Sequence, residues 1–199
     1  MSINPTPPKR ILIILGHPAE RSLSAAMAEQ YQMGAQESGA DVRFLRVGAL
    51  QFDPVLRAGY NAPQPLEEDL VAAQQDIAWA QHLVFVYPIW WGAMPALLKG
   101  FIDRVFLPGF AFKYRRDSAW WDRLLAGRSA RLITLMDTPP WYFRWFFRMP
   151  GHHQMRRTIL EFAGVKPVRI SSFGAVRTAD KTQRAAWLDS VYRLGLRLR

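Results

Sequence analysis

Two loops of this sequence carry residue types suited to holding a ligand. The first reads Gly16-His17-Pro18-Ala19-Glu20-Arg21-Ser22-Leu23-Ser24, between a short apolar run and a segment of helical period. Free N–H groups at a helix start, the positive end of the helix dipole and the hydroxyls of Ser22 and Ser24, with His17 or Arg21 close by, suit a phosphate. The plainer roles are a helix N-cap for Ser22 and a polar strand end for His17. The loop is neither a Walker loop nor a Gly-x-Gly-x-x-Gly turn, whose glycines it lacks. The second loop reads Tyr87-Pro88-Ile89-Trp90-Trp91-Gly92-Ala93-Met94-Pro95. Adjacent tryptophans between prolines cannot share one face of a regular element. At the carboxyl end of a strand they flank a flat aromatic ligand, and Gly92 lets the backbone approach it; the alternative is a buried aromatic cluster under a loop.

Such loops need a scaffold, and the chain spells one out. Apolar runs of strand length over Arg10–Leu15, Val42–Val47, His82–Tyr87, Ala130–Met136 and Val168–Phe173 alternate with helical periodicity over about Leu23–Ser38, Leu66–Ala80, Pro95–Phe106, Gln154–Ala163 and Thr182–Leu194. Alternation of this kind predicts an α/β fold, a five-stranded parallel sheet in the order 2-1-3-4-5 with helices on both faces and a crevice at the strands' carboxyl ends. Gly39 and Gly164 close helices, and Pro95 suits a first turn. The stretches Gly48–Pro65 and Asp137–Gly151 have no clear period and read as surface excursions. With no repeat, low-complexity tract or linker, residues 1–199 read as one domain.

Composition narrows the chemistry further. In 199 residues, 50% are hydrophobic and 21% charged, which excludes global disorder and supplies one substantial core. The chain has no Cys, so thiolate nucleophiles, disulfides, iron–sulfur clusters and Cys-based zinc sites are excluded, and redox chemistry needs a cofactor. The charge of +10 comes without any helix-turn-helix, zinc-finger or RNA-binding signature, so anionic small molecules are the expected partners rather than nucleic acid. The first ten residues lack the basic-then-apolar order of a signal peptide and no apolar run spans a bilayer; a cytoplasmic protein is expected.

Gly16-His17-Pro18 with Ser22 and Ser24, then Tyr87-Pro88-Ile89-Trp90-Trp91 running into Pro95-Ala96-Leu97-Leu98-Lys99-Gly100-Phe101-Ile102-Asp103-Arg104-Val105-Phe106, resemble the flavodoxin-like NAD(P)H:quinone oxidoreductase family. That family includes modulators of drug activity and potassium-efflux ancillary oxidoreductases. Gln51-Phe52-Asp53-Pro54 and Asp69–Gln75 are similar to its quinone-reductase branch, and the likeness covers roughly the first 115 residues. The resemblance implies a bound flavin, FMN or alternatively FAD, reduced by NAD(P)H and reoxidised by a quinone or similar flat aromatic acceptor. By the same resemblance His17, Ser22, Leu23 and Ser24 hold the flavin phosphate region, and Pro88, Ile89, Trp90 and Trp91 run along the ring, with Gly92 beside them as the point of close backbone approach. The flavin N5 carries the hydride, so the protein supplies orientation and electrostatics. A regulatory subunit of a membrane transporter and a flavodoxin-type electron carrier are the rival readings; carriers are typically acidic, against +10 here.

The likeness departs after the fourth strand of the sheet. Where the family has a Thr-Thr-Gly-Gly type loop, this chain has Met136-Asp137-Thr138-Pro139-Pro140-Trp141-Tyr142. Proline donates no N–H, so Thr138 or the amides of Trp141 and Tyr142 are the replacements for the flavin pyrimidine. Tyr142 and either His152 or His153 are the substrate-pocket candidates by region, with His152 preferred. The stretch Trp141–Pro150, aromatic with interleaved arginines, reads as a lid, a subunit contact in a homodimer, or a membrane-surface anchor. The His152-His153 pair is not expected to bind metal, because neighbours on a helix diverge by about 100°.

Overall fold

Period-two alternation decides which side of the sheet each strand residue serves. In β1 (Arg10–Leu15), Ile11, Ile13 and Leu15 belong to one core and Leu12 and Ile14 to the other, and all five are buried. A computed structural model describes residues 7–198; residues 1–6, part of the opening segment read as unlike a signal peptide, and residue 199 lie outside the described residues. After β1 come α1 (Leu23–Glu37), β2 (Asp41–Arg46), α2 (Glu68–Trp79), β3 (His82–Pro88) and α3 (Ala96–Val105). A hairpin of β4 (Phe112–Tyr114) and β5 (Trp121–Arg123) leads to β6 (Ser129–Leu135), α4 (Pro140–Trp145), α5 (Pro150–His153), β7 (Val168–Phe173) and α6 (Lys181–Leu196).

The five long strands are parallel and ordered β2-β1-β3-β6-β7. With the antiparallel hairpin set aside, this is the expected 2-1-3-4-5 order. Strands and long helices stand within two residues of their expected limits, apart from the fourth helical segment. There α5 runs on from Pro150 into wide, π-type turns over Gln154–Glu161. Helices α1 and α6 cover one face of the sheet, while α2, α3 and Gln154–Glu161 cover the other. Every residue of β3 is buried, as a central parallel strand requires. Gly39 and Gly164 have φ of +83° and +100°, the left-handed geometry that ends a helix.

Two features were absent from the sequence reading. The hairpin strands are three residues long and interleaved with Lys113 and Asp122, too short for alternation to show. Within the aromatic stretch read as irregular, Pro140 opens α4, where its missing N–H costs nothing.

The excursion over residues 48–65 is tied to α3 through one guanidinium. Arg104, on the buried face of α3, is fully buried and donates to both Glu67 carboxylate oxygens, at 2.8 and 3.2 Å, and to the Pro65 carbonyl at 2.8 Å and the Asp53 carbonyl at 2.5 Å. Four charge-assisted bonds offset the desolvation of the cation. Replacing Arg104 by Leu is expected to destabilise the fold by about 2–4 kcal/mol, because two inward carbonyls lose their donor and Glu67, left with the Asp53 N–H, loses its cation. Denaturant unfolding checks the loss, and limited proteolysis is expected to cut first within residues 48–65.

Candidate functional site

The loops that leave β1, β3, β6 and β7 meet at the carboxyl edge of the sheet. The loop after β1 is fixed at its base by the Gly16 N–H, which donates to the Val86 carbonyl of β3 at 2.9 Å. His17 Nδ1 lies 3.0 Å from the Ala19 amide, curling the loop, and the imidazole meets Trp90 edge-on at 5.6 Å between centroids. Ser22 is the N-cap of α1, its Oγ accepting the Ala25 N–H at 3.1 Å. The capping role is therefore filled. The next two amides, of Leu23 and Ser24, have no acceptor among the described residues, and they stand at the positive end of a 15-residue helix.

The loop after β3 is a tight turn. Trp90 and Ala93 exchange backbone bonds of 2.9 and 3.0 Å, and the two residues between them, Trp91 and Gly92, have φ of +51° and +79°. Two positive φ values in succession give a type I′ turn, which suits Gly92 and strains Trp91. The Ile89 amide is occupied, donating to the Leu135 carbonyl at 2.7 Å. The loop after β6 keeps Asp137 at the rim, where its Oδ1 accepts the Arg177 N–H at 2.9 Å.

Between these loops lies a cavity of about 230 Å³. His17, Ser22, Leu23, Ser24, Pro88, Ile89 and Trp90 all line it, together with Leu135, Met136, Asp137 and Val176. Seven of the expected site residues thus converge. Nothing in the type of Val176 marks it for the site; its place just past β7 is what brings it in. The other expected residues stand elsewhere. Trp91 is fully exposed at the turn tip, Gly92 sits beside it, and Thr138 follows Asp137 without lining the cavity. Tyr142 belongs to an aromatic cluster, stacked on Phe146 at 4.8 Å and edge-on to Trp141 and Phe147.

His152 is buried behind this cluster, edge-on to Phe143, with Nε2 3.0 Å from Thr134 Oγ1 and 3.4 Å from Ser172 Oγ. Burial, aided by the neighbouring His153, pushes its pKa down to about 4. His153 is exposed, so the two rings diverge; among the described residues no group of three or more His, Cys, Asp or Glu could hold a metal ion.

Two further hollows matter to the reading of this one. One of about 300 Å³ adjoins it across His17, at the carboxyl end of β2, and is lined by Arg46, Gly48 and Ala49 among others. A larger one, about 590 Å³, is a trough between α3, the hairpin and Gln154–Glu161, lined by Phe106, Phe112, Tyr114 and Phe162. It lacks the strand-end loops and free helix amides that recognise an anionic cofactor, so size alone does not make it the site.

The residues at the strand ends fit a flavin. The helix-start amides suit its phosphate, and Pro88, Ile89 and Trp90, lining the same cavity, offer apolar surface to its ring. Asp137, at the rim, and Thr138 after it hold the two amides before Pro139 that have no acceptor among the described residues.

A family model described as flavodoxin-like fold matches residues 9–194. A Haemophilus influenzae protein named as an uncharacterized NAD(P)H oxidoreductase is 29% identical over 182 residues, covering 89% of this chain and 90% of its own length. The NAD(P)H dehydrogenase (quinone) 1 of Cavia porcellus is 32% identical over 126 residues, which is 53% of this chain but only 46% of that longer protein. The solved NAD(P)H:quinone oxidoreductase of Methanothermobacter marburgensis superposes with a TM-score of 0.81 at 25% identity, covering 97% of each chain.

The depressed pKa of His152 has a direct consequence for stability. The unfolded imidazole, near its ordinary 6.5, takes up a proton that the folded one refuses, so stability contributed by neutral His152 is complete above that value. It is lost as pH falls from about 6.5 towards about 4, by up to roughly 3 kcal/mol. Thermal unfolding of His152→Gln across this range is expected to show a shallower acid dependence than the native chain.

Proposed function

The chain belongs to the flavodoxin-like fold family, and from that premise we propose that it is a flavin-dependent NAD(P)H oxidoreductase acting on a quinone or similar flat aromatic acceptor. The observation that carries the reading is the pairing, in one cavity, of two unoccupied helix-start amides with the wall of Pro88, Ile89 and Trp90. A bound flavin supplies two-electron chemistry: one hydride and one proton pass in total from NAD(P)H and water to the quinone, giving NAD(P)+ and the quinol.

The protein's share is positioning. In this reading the amides of Leu23 and Ser24 and the Ser24 hydroxyl hold the phosphate, while Ser22 keeps the helix start in shape. His17 props Trp90, and the tryptophan edge limits how far the ring slides. The amides of Asp137 and Thr138 are the donors offered to the pyrimidine edge. Tyr142 serves the acceptor side from the aromatic cluster. His152, buried behind it, acts as a positioning residue that pins α5 to β6 through Thr134.

FMN is the proposed cofactor. FAD is the second reading, favoured by one observation: the hollow beyond His17, beside Arg46, extends the site in the direction a nucleotide would need. We also propose a homodimer, with a second copy covering the aromatic trough along α3. Light scattering of the flavin-loaded protein is expected to give a two-chain particle; a flavin-loaded monomer at micromolar concentration rejects the dimer.

The cofactor reading predicts a yellow protein from which heating releases FMN, identified by chromatography, and ping-pong kinetics with NAD(P)H and a water-soluble quinone. Ser24→Ala is expected to weaken FMN binding by about 1.5–3 kcal/mol without loss of stability. Ser22→Ala is expected to cost about 1 kcal/mol of stability as a lost cap. Riboflavin, lacking the phosphate, is expected to bind wild type and Ser24→Ala alike; equal weakening of riboflavin and FMN rejects the phosphate assignment.

A further inference from the structure

The rim beside the cofactor cleft is unlike the rest of the surface. Trp141, Trp145, Phe146 and Phe147 are 66%, 74%, 66% and 50% exposed. They cluster on α4 and the turn after it, and Trp91 stands fully exposed on the neighbouring turn. From residue 138 to residue 160 the chain has no Asp or Glu, yet carries Arg144, Arg148, Arg156 and Arg157. Arg156 pairs with Glu161 at 2.9 Å; Arg144, Arg148 and Arg157, all exposed, have no carboxylate partner among the described residues.

A contiguous exposed apolar patch marks an interaction surface, and its covering must be apolar at the centre and anionic at the edge. A second copy fits poorly. A two-fold contact centred here sets the arginines of one chain against those of the other, and the segment offers no carboxylate to pair them. An anionic bilayer offers both components, since tryptophan and phenylalanine settle at the headgroup boundary while arginines meet lipid phosphates. The helix α4 has six residues, too short for any role but lying on the surface, and no helix among the described residues can cross a membrane.

We propose that the α4 rim docks on the surface of a bilayer containing anionic lipid. Docking there sets the cleft at the bilayer surface, because the Gly151 N–H at the start of α5 donates to the Gly92 carbonyl at 2.8 Å, joining the rim to the turn whose Trp90 lines the cavity. The acceptor that such an arrangement serves is a lipid-soluble quinone. That second half rests on the reductase reading above; the docking itself does not.

The test is co-sedimentation of the full chain with vesicles of phosphatidylcholine alone and of phosphatidylcholine mixed with phosphatidylglycerol, at low and raised salt. Binding to the anionic vesicles alone, weakened by salt and accompanied by a blue shift of tryptophan emission, is expected. Arg144→Gln and Arg148→Gln are each expected to lower partitioning about fivefold. The double variant Trp145→Ser with Phe146→Ser is expected to lose binding while keeping its oligomeric state. Trp120→Ser, which removes an exposed tryptophan on the hairpin, is expected to bind like wild type. No binding by the native chain, equal binding to neutral vesicles, or binding that survives the double variant overturns the proposal. Dissociation of the oligomer in that variant also overturns it, because the patch is then a contact between copies. Turnover of the water-soluble quinone is read without vesicles, so failure of the reductase reading shows there and is distinguishable from failure of docking.

Discussion

The buried guanidinium of Arg104 is the interaction on which the site side of the fold depends. Nothing apolar could replace it in function, because its partners are backbone carbonyls of a chain segment with no secondary structure of its own. The Asp53 and Pro65 carbonyls face inwards and need donors, and α3 brings one donor group with the planar fork to reach both and Glu67 as well. Gly100, one turn earlier on α3, completes the fit: a Cβ there would lie 2.5 Å from Pro54 Cβ. The long connection after β2 is thus packed against the helix that the cofactor-side turn feeds. Movement of α3 would be felt at once in the Trp90–Ala93 turn, which precedes it by only a few residues.

That coupling places the rigid and the open parts of the site. The sheet gives the floor: β1 and β3 are adjacent, and the chain switches direction between them, so the loops leaving these two strands diverge and leave a crevice. Hydrogen bonds tie those loops at their bases, Gly16 to Val86 and Ile89 to Leu135, which spends the amides nearest the sheet. What remains unspent lies further out, at Leu23 and Ser24 on one side and at Asp137 and Thr138 on the other.

Much of this was legible in the sequence because parallel strands and their helices repeat a strong pattern. Ile11–Leu15 and Leu83–Tyr87 are near-continuous apolar runs, and Gly39, Gly164 and Pro95 mark helix limits by backbone chemistry alone. The convergence of the first-loop residues and Pro88–Trp90 on one cavity was legible for the same reason, being placed by topology. The outcome for Trp91 was not. Adjacent tryptophans look equivalent in sequence, but the I′ turn sends one towards His17 and the other into solvent. His152 shows the converse: its type suggests chemistry, while its burial against Thr134 and Phe143 depends on how α4 and α5 fold back over β6. The hairpin strands were too short to leave any period, and their pairing is set by Trp121 stacking on Phe162, far away in the chain.

Strain and exposure are concentrated at the same edge. Of the described residues other than glycine with positive φ, Trp91, Arg148 and Met149 lie on the turns that frame the aromatic rim, while only Asp117 and Leu198 lie elsewhere. Each such residue costs of order 1 kcal/mol, and leaving large aromatic rings in water forgoes burial that the two cores use fully elsewhere. A fold that buries every side chain of β3 is capable of hiding a few more rings. The backbone instead takes left-handed angles at Arg148–Met149, and α4 is held outward with Phe143 as its one buried ring, a cost in stability for which the docking proposed above would account. Surface contact is the use consistent with that cost, and the run of unpaired arginines sets the sign of whatever is met.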